Sequence, residues 1–258
     1  MVRIVPLGSG SKGNATLAEL GSTRLLVDAG LSARQLALRL RAIGVEPRSI
    51  HCILLSHEHA DHARGAEVFS KKFGVPVACG VETLEAMDLS PIHFADWQAF
   101  RPSEVMQLGT VRVEPFPVPH DAVRPVGFVL HGEGLRVGVA TDLGHATTLV
   151  HERLRGCEVL MVESNHDEMM LRDGPYPWQL KQRVGSRVGH LSNHETAALL
   201  RDVVASDCRA VILAHLSERN NTRVLARRCA STALQWSGAK RVEMRIAEVH
   251  APSPAVCL

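Results

Sequence analysis

The stretch ILLSHEHADHARG, residues 53–65, is the most informative part of the chain. Apolar residues typical of a buried strand lead directly into three histidines and an aspartate within six positions. The strand is predicted to end at Ser56 and to place His57 and His59 on one side, with Asp61 and His62 in the following turn. Imidazole nitrogens and carboxylate oxygens suit zinc, manganese or iron. The stretch therefore predicts a metal site at the end of a strand.

Three further residues of the same kinds each follow an apolar strand, namely His120, Asp142 and His215. Strand ends that share one edge of a sheet can converge in space, so these residues and the first cluster together predict two adjacent metal sites. Other histidines, such as His51, show no such pattern and are interpreted as structural. A chance cluster on a solvated loop is the alternative, and the fixed spacing at a strand end disfavours it.

Composition is that of an ordinary globular protein. The 258 residues are 45% hydrophobic and 22% charged, and the net charge of +2 gives no overall basic field that would indicate nucleic acid. The N-terminal residues lack a signal-peptide pattern, no run is long enough to span a membrane, and the six cysteines form no C-x-x-C pair. We therefore expect a cytoplasmic protein of one domain, residues 1–258, with no membrane contact. The sequence is compatible with a homo-oligomer and leaves the identity of any protein partner open.

Short apolar strands alternate with amphipathic helices along most of the chain. One helix is predicted to begin after an N-cap at Ser32, and another to end at Gly74. The region 104–141 predicts two hairpins, the second turning at GEG. Strand-rich blocks with helices on both sides favour a layered α/β sandwich of two mixed sheets.

These residues match the metallo-β-lactamase superfamily. HEHADH fits its H-x-H-x-D-H motif, and Asp28 in LLVDAG fits its first motif. The resemblance implies a four-layer αββα sandwich with two divalent metal ions, zinc or manganese, at one edge. It implies these roles: His57, His59 and His120 on one metal; Asp61, His62 and His215 on the other; Asp142 bridging; and Asp28 behind them, orienting a histidine.

Two metals lower the pKa of water and stabilise charge on an attacked ester, so we expect a hydrolase, with Asp61 counted among the catalytic groups. Asp142 stands where many lactamases of the superfamily carry a cysteine. Glu163 after a strand and His190 before a helix resemble the pair that the tRNA 3′-processing branch uses to protonate a leaving group. A carboxylate raises the pKa of a neighbouring imidazole, which favours the acid form. The alternatives are that Glu163 is a surface carboxylate and that His190 is a loop residue with a capping role.

A longer set of strings is similar to the YycJ/WalJ family, bacterial metallo-β-lactamase-fold proteins described as 5′-to-3′ exonucleases acting on DNA. The strings include SGSKGNA, SHEHADH, PHDAVRPVGF, GPYPWQLKQRV, GHLSN and HLSERNNT. This resemblance implies a dinuclear-metal phosphodiesterase that digests nucleic acid, with a 5′-to-3′ DNA exonuclease favoured. A small-molecule ester, thioester or lactone hydrolase on the same scaffold remains the alternative. The complete ligand set disfavours a non-catalytic binding subunit.

Several polar and aromatic residues are candidates for holding the substrate. Aromatic and basic residues alternate between Glu163 and His190, which suits stacking on bases and pairing with phosphates: Tyr176, Trp178, Lys181, Arg183 and Arg187. A helix packed on the core with a solvated basic face would explain them equally well. The residues expected to bind substrate are Ser11, Asn14, Asn193, Ser217, Asn220 and Asn221. Asn220 and Asn221 are predicted to open a helix whose N–H groups suit phosphate, whereas hairpin formation alone would explain Ser11 and Asn14.

Overall fold

The computed structural model describes residues 1–237, 239 and 241–258. The strands are β1 (Val2–Gly8), β2 (Ala15–Leu20), β3 (Thr23–Val27), β4 (Cys52–Leu54), β5 (Val77–Cys79), β6 (Trp97–Ala99), β7 (Met106–Leu108), β8 (Val111–Pro117), β9 (Val126–Gly132), β10 (Leu135–Ala140), β11 (Val159–Glu163), β12 (Ala210–Ala214), β13 (Glu243–Ile246) and β14 (Val256–Cys257). The α-helices are α1 (Ala33–Ala42), α2 (Ala60–Ala63), α3 (Ala66–Phe73), α4 (Val81–Ala86), α5 (Thr148–Leu154), α6 (Glu168–Asp173), α7 (Trp178–Val184), α8 (Asn193–Val203) and α9 (Arg223–Trp236). Pro47–Ser49 and Pro91–His93 form short 3₁₀ turns.

The strands form two mixed sheets of seven strands each, as predicted. The first has the order β14-β1-β2-β3-β4-β5-β6, and the second has the order β13-β12-β11-β10-β9-β8-β7. Each sheet is antiparallel over one part, from β14 to β3 in the first and from β7 to β10 in the second. Each is parallel over its other strands, where longer crossovers return the chain in the same direction.

Three apolar layers separate four layers of secondary structure. One core lies between the two sheets and includes Leu25 and Phe128. A second core joins the first sheet to α1 and α3, and a third joins the other sheet to α5, α8 and α9. The prediction of a four-layer αββα sandwich is confirmed. A core shared by both sheets is what a single domain requires, and one domain over residues 1–258 stays a prediction.

Helix ends follow the local sequence closely. Oγ of Ser32 accepts a hydrogen bond from the backbone of Gln35 at the start of α1, and Gly74 ends α3 in the left-handed conformation. The predicted hairpins are β7–β8 and β9–β10. Strands β6, β13 and β14 were not predicted, because they are edge strands of only two to four residues. Within the described residues, no helix combines the length and apolar character needed to cross a bilayer.

Candidate metal centre and active site

The HEHADH stretch lies at the carboxyl end of β4. The strand ends at Leu54, two residues before the predicted Ser56. His57 and His59 lie on the loop that follows, and Asp61 and His62 lie in the four-residue helix α2 rather than in a turn. The helix turns Asp61 and His62 back towards the loop, so all four side chains face one place at the edge of the sheets.

His57, His59 and His120 form a first cluster of ring nitrogens. Nδ1 of His59 lies 3.2 Å from Nε2 of His57 and 3.3 Å from Nε2 of His120. His120 reaches the cluster from the loop after β8, in the other sheet. The three nitrogens lie within 4.8 Å of one another, which is close enough for one ion to contact all three.

Asp61, His62 and His215 form a second cluster beside the first. Oδ2 of Asp61 lies 3.7 Å from Nε2 of His62 and 3.7 Å from Nε2 of His215. Asp142 lies between the clusters, with Oδ2 2.9 Å from Nε2 of His62 and Oδ1 3.8 Å from Nε2 of His120. The structure therefore brings together all seven residues that were predicted to hold metal.

Behind the clusters, protein oxygens fix the orientation of four histidine rings. Each of these rings forms a hydrogen bond through Nδ1 and turns Nε2 inwards. The partners are Ser56 for His57 (2.9 Å), Asp28 for His62 (2.8 Å), the Gly189 carbonyl for His120 (3.0 Å) and Glu163 for His215 (2.7 Å). The Ser56 hydroxyl donates its proton to Asp28, so it accepts from His57. In the neutral form of each ring, this bond holds the proton on Nδ1 and leaves the lone pair on Nε2, which is the tautomer that metal ligation requires.

Two buried atoms at the centre lack a protein partner. Nε2 of His215 makes no hydrogen bond, and neither does Oδ2 of Asp142, although Nε2 of His62 lies 2.9 Å from it. Buried polar atoms are otherwise almost always paired. These unpaired atoms, together with the four histidines whose Nδ1 is hydrogen-bonded to a protein oxygen, fit divalent cations held by mixed nitrogen and oxygen ligands.

The histidines of the two clusters differ in the direction in which their pKa values are shifted. Burial lowers the pKa of His57 and of His120. Burial also opposes charge on His215, but the carboxylates of Asp142, Asp61 and Glu163 outweigh it and raise the pKa of His215 to about 10. Without metal, His57 and His120 are therefore neutral at pH 7, whereas His215 in the second cluster carries a proton.

Glu163, the last residue of β11, is fully buried and accepts four hydrogen bonds. Oε1 accepts from Nδ1 of His190 at 2.8 Å and from Nδ1 of His215 at 2.7 Å. Oε2 accepts from the backbone of Leu143 at 3.0 Å and of Leu191 at 3.1 Å. All four partners are donors, so the environment suits a carboxylate. Burial opposes its charge, but the neighbouring histidines lower the pKa of Glu163 to about 2.

His190 lies at the mouth of the cleft above the two clusters. Its Nδ1 is bound to Glu163, so its Nε2 is the nitrogen available to a bound molecule. Burial lowers the pKa of His190, but the charges of Glu163 and Asp142 outweigh burial and raise it. The arrangement favours the protonated ring, which is the form that can donate a proton.

The cleft has a volume of about 200 Å³, and some predicted substrate contacts line it. Ser11 and Ser217 lie on its wall, as do Asn165, which was not predicted, and Tyr176. Asn14 is buried below the wall. Its Nδ2 lies 2.9 Å from Nε2 of His62 and 3.3 Å from Oδ2 of Asp61, and its Oδ1 accepts from the Gly10 backbone. Asn14 therefore holds the second cluster in place instead of facing substrate.

The other three asparagines predicted to bind substrate do not line the cleft. Asn193, Asn220 and Asn221 are buried, and helix α9 begins after Asn221, capped by Thr222. The amides of Asn193 and Asn221 exchange two hydrogen bonds of 2.9 Å, and Asn221 also donates to the carbonyls of Ser164 and Asn165. Asn193 and Asn221 therefore brace the loops behind the cleft, and a substrate role for the three asparagines stays a prediction.

The basic residues predicted to contact nucleic acid divide into two groups. Arg183 joins Tyr176 on the cleft wall. Trp178 is exposed outside the cleft, and Lys181 donates to the carbonyl of Arg172. Arg187 does not line the cleft either.

Three residues of the site have unusual backbone conformations. Asp28, Asp142 and His215 have φ angles of 61°, 55° and 55°, in the left-handed region. Each follows a strand, β3, β10 or β12, and the reversal turns its side chain from the sheet edge towards the clusters. Aspartate and histidine tolerate this region better than most residues do.

Sequence reasoning missed three groups that support the ligands, namely Ser56, Asp121 and the Gly189 carbonyl. Ser56 and Asp121 are direct neighbours of ligands in the sequence, and Gly189 precedes His190. Adjacency was the available signal, but the hydrogen bonds cross between distant segments and become visible only in the folded chain.

Several known proteins are similar to this chain. The model of the β-lactamase superfamily domain matches residues 23–216. Exodeoxyribonuclease YycJ of Bacillus anthracis is 35% identical over 90% of this chain and 89% of its own. Exodeoxyribonuclease WalJ of Streptococcus pneumoniae serotype 2 is 33% identical over 85% of this chain and 83% of its own. The crystal structure of the metallo-β-lactamase fold protein YhfI from Bacillus subtilis covers 100% of both chains with a TM-score of 0.77 and 16% identity, which supports the fold alone. The chain belongs to the β-lactamase superfamily, in the family that includes the YycJ and WalJ exodeoxyribonucleases.

Proposed function

We propose that this chain is a dinuclear-metal phosphodiesterase that hydrolyses DNA from the 5′ end. The observation that carries the proposal is the contact between Glu163 and His190, which places a protonated imidazole beside two clusters of metal ligands. An alkoxide leaving group needs a proton, whereas hydrolysis of a thioester or an activated ester does not. The pair therefore favours a phosphodiester as substrate.

Each cluster would hold one divalent ion, with zinc or manganese as the expected metals, and Asp142 would be available to both. When bound, such ions lower the pKa of water and offset the charge of a phosphate. Asp61 would orient the reacting water, while Asp28 and Glu163 keep His62 and His215 in the right tautomer. His190 would then give its Nε2 proton to the departing oxygen.

The choice of DNA rests on the relatives, and the direction of digestion rests on the family resemblance alone. Ser11, Ser217 and Tyr176 line the cleft and are proposed to contact the nucleotide. Six free cysteines, four of them buried, suit a reducing compartment, so we propose a cytoplasmic location.

The deciding experiment is a digest of single-stranded and duplex DNA and RNA labelled at either end, with 5′-phosphate and 5′-hydroxyl forms of each. Zinc or manganese is added to metal-free protein, and a thioester and a lactone are assayed in parallel. We expect mononucleotides to be released from the 5′ end of DNA. Cleavage of the thioester or lactone without cleavage of any polymer would overturn the proposal.

A further inference from the structure

Arg183 is the sole lysine or arginine among the described residues that line the cleft. It lies in the last turn of α7, on the segment between Glu163 and His190. The histidines and carboxylates on the cleft wall are His190, Asp142 and members of the two clusters. A guanidinium here faces the same space as the proposed metal ligands.

Most of the hydrogen-bonding capacity of this guanidinium is unused. Within the described part of the chain, its Nε donates to Oδ2 of Asp121, and no protein acceptor binds Nη1 or Nη2. A guanidinium has five N–H donors in a planar fork, so four of them remain available. A fork of this kind matches two oxygens of a phosphate.

Asp121 draws the guanidinium towards the first cluster. One of its oxygens accepts from Arg183, and the other lies 3.2 Å from Nε2 of His120. The ion pair therefore sets how far Arg183 lies from the reacting centre.

The backbone that carries Arg183 is fixed to the same parts of the site. The backbone of His190 donates to the carbonyl of Val184 at 2.9 Å, and His120 donates to the carbonyl of Gly189 at 3.0 Å. A Cβ at Gly189 would lie 2.2 Å from the carbonyl oxygen of Arg183, so only glycine allows this close approach. Hydrogen bonds and a close backbone approach therefore connect the end of α7 to the proposed acid and to a ligand of the first cluster.

A purely structural role does not explain the pair well. The side chain of Arg183 is 60% exposed, and ion pairs this exposed contribute little to stability. The pair instead holds a cation in place on a wall where negatively charged substrate would pass.

We propose that Arg183 binds the phosphate next to the one being cleaved, and that Asp121 is a positioning residue that aims its guanidinium. The inference rests on the proposed phosphodiesterase function. It predicts that part of the affinity for a polymer comes from this contact, which a substrate with a single phosphate cannot make.

The test compares Arg183→Ala with the wild-type protein on a single-stranded oligonucleotide at several salt concentrations. We expect KM to rise by about 10- to 100-fold with a smaller change in kcat, since a charged hydrogen bond is lost in binding. The slope of log KM against log salt concentration should become smaller by about 0.7, which is the value for one phosphate contact on a single strand. Arg183→Lys should recover part of the loss, because it keeps the charge without the fork.

Arg172→Ala is the matched control, since Arg172 is an exposed arginine on α6 that pairs with its neighbour Asp173. Asp121→Asn should raise KM in the wild-type background and leave it unchanged in the Arg183→Ala background. An unchanged KM and salt dependence in Arg183→Ala, with wild-type protein active on the oligonucleotide, would overturn the inference alone. Wild-type protein that cleaves no polymer would overturn the proposed function instead.

Discussion

Oε1 of Glu163 lies 2.7 Å from Nδ1 of His215, so the carboxylate that holds His190 also holds a residue of the second cluster. One buried side chain thus supports both the proposed acid and a proposed metal ligand. A change at Glu163 should therefore affect metal binding and turnover together, whereas a change at His190 should affect turnover alone.

Glu163→Gln keeps the shape of the side chain but replaces an acceptor by an NH₂ group. All four partners of Glu163 are donors, so two of them would face another donor. We expect metal affinity to fall by about 10- to 100-fold and kcat to fall as well. Zinc titration against a competing chelator measures the first effect. Glu152→Gln, at an exposed glutamate, is the control, and wild-type metal affinity in Glu163→Gln would contradict the role assigned to Glu163.

His190→Ala should keep its metal, because His190 belongs to neither of the clusters proposed to hold an ion. We expect kcat on an oligonucleotide to fall by about 10²- to 10⁴-fold, the usual contribution of a general acid. The fall should be much smaller on bis(p-nitrophenyl) phosphate, whose leaving group needs no proton. His194→Ala, an exposed histidine at the start of α8, is the control. Equal losses on both substrates would remove His190 from proton donation.

Metal uptake should release protons from one cluster more than from the other. The pKa of His215 is raised to about 10, so in metal-free protein the ring is protonated at pH 7 and must lose a proton to bind metal. The pKa values of His57 and His120 are lowered, so these rings are already neutral. Binding at the second cluster should therefore weaken as pH falls.

Calorimetric titration of zinc in buffers of different ionisation enthalpy counts these protons. In His57→Ala, which disrupts the first cluster, the remaining binding step should be the one that releases protons. Equal proton release at both steps of the wild-type protein would contradict the asymmetry.

The cysteines should differ sharply in their reactivity towards thiol reagents. Burial raises the pKa of Cys52 and Cys157 to about 12 and of Cys79 and Cys208 to about 11. These four should stay thiols and react only after unfolding. Cys257 is exposed and should react first in the native protein, followed slowly by Cys229, whose pKa burial also raises.

A spectrophotometric count with Ellman's reagent at pH 7.5, before and after denaturant, checks this order. Cys257→Ser should abolish the fast phase and leave the later ones. Rapid reaction of more than two thiols in native protein would contradict the burial of the other four.

Asn193→Ala should lower stability and leave substrate affinity nearly unchanged. The substitution leaves the amide of Asn221 and the hydroxyl of Ser164 with unpaired buried atoms. We expect the free energy of unfolding to fall by about 1–3 kcal/mol, measured by denaturant titration. A raised KM at unchanged stability would instead support direct contact with substrate.

The ligands could be predicted from the sequence because their signal is local. The string HEHADH contains four of the ligands within six positions, and His120, Asp142 and His215 each follow a recognisable apolar strand. The four layers could also be anticipated, because strand and helix periodicities alternate clearly on both sides of the hairpins.

The surroundings of the ligands could not be predicted in the same way. Ser56 bonds to Asp28 and His57, and Arg183 meets Asp121 across 62 residues. Such pairs depend on how loops from different strands meet. Asn193 and Asn221 resembled substrate contacts because they are polar and near the motif, but their amides bond to each other inside the protein.

The left-handed conformations of Asp28, Asp142 and His215 have a consequence for how this protein could change over generations. Each costs on the order of 1 kcal/mol relative to glycine, which adopts the conformation freely. Replacement by glycine would relieve that strain but leave buried partners unpaired, since Asp28 accepts from Ser56 and His62, and His215 donates to Glu163. A duplicated copy released from selection for activity would therefore gain little stability by erasing these side chains, and the ligand set should persist in such a lineage for longer than its activity.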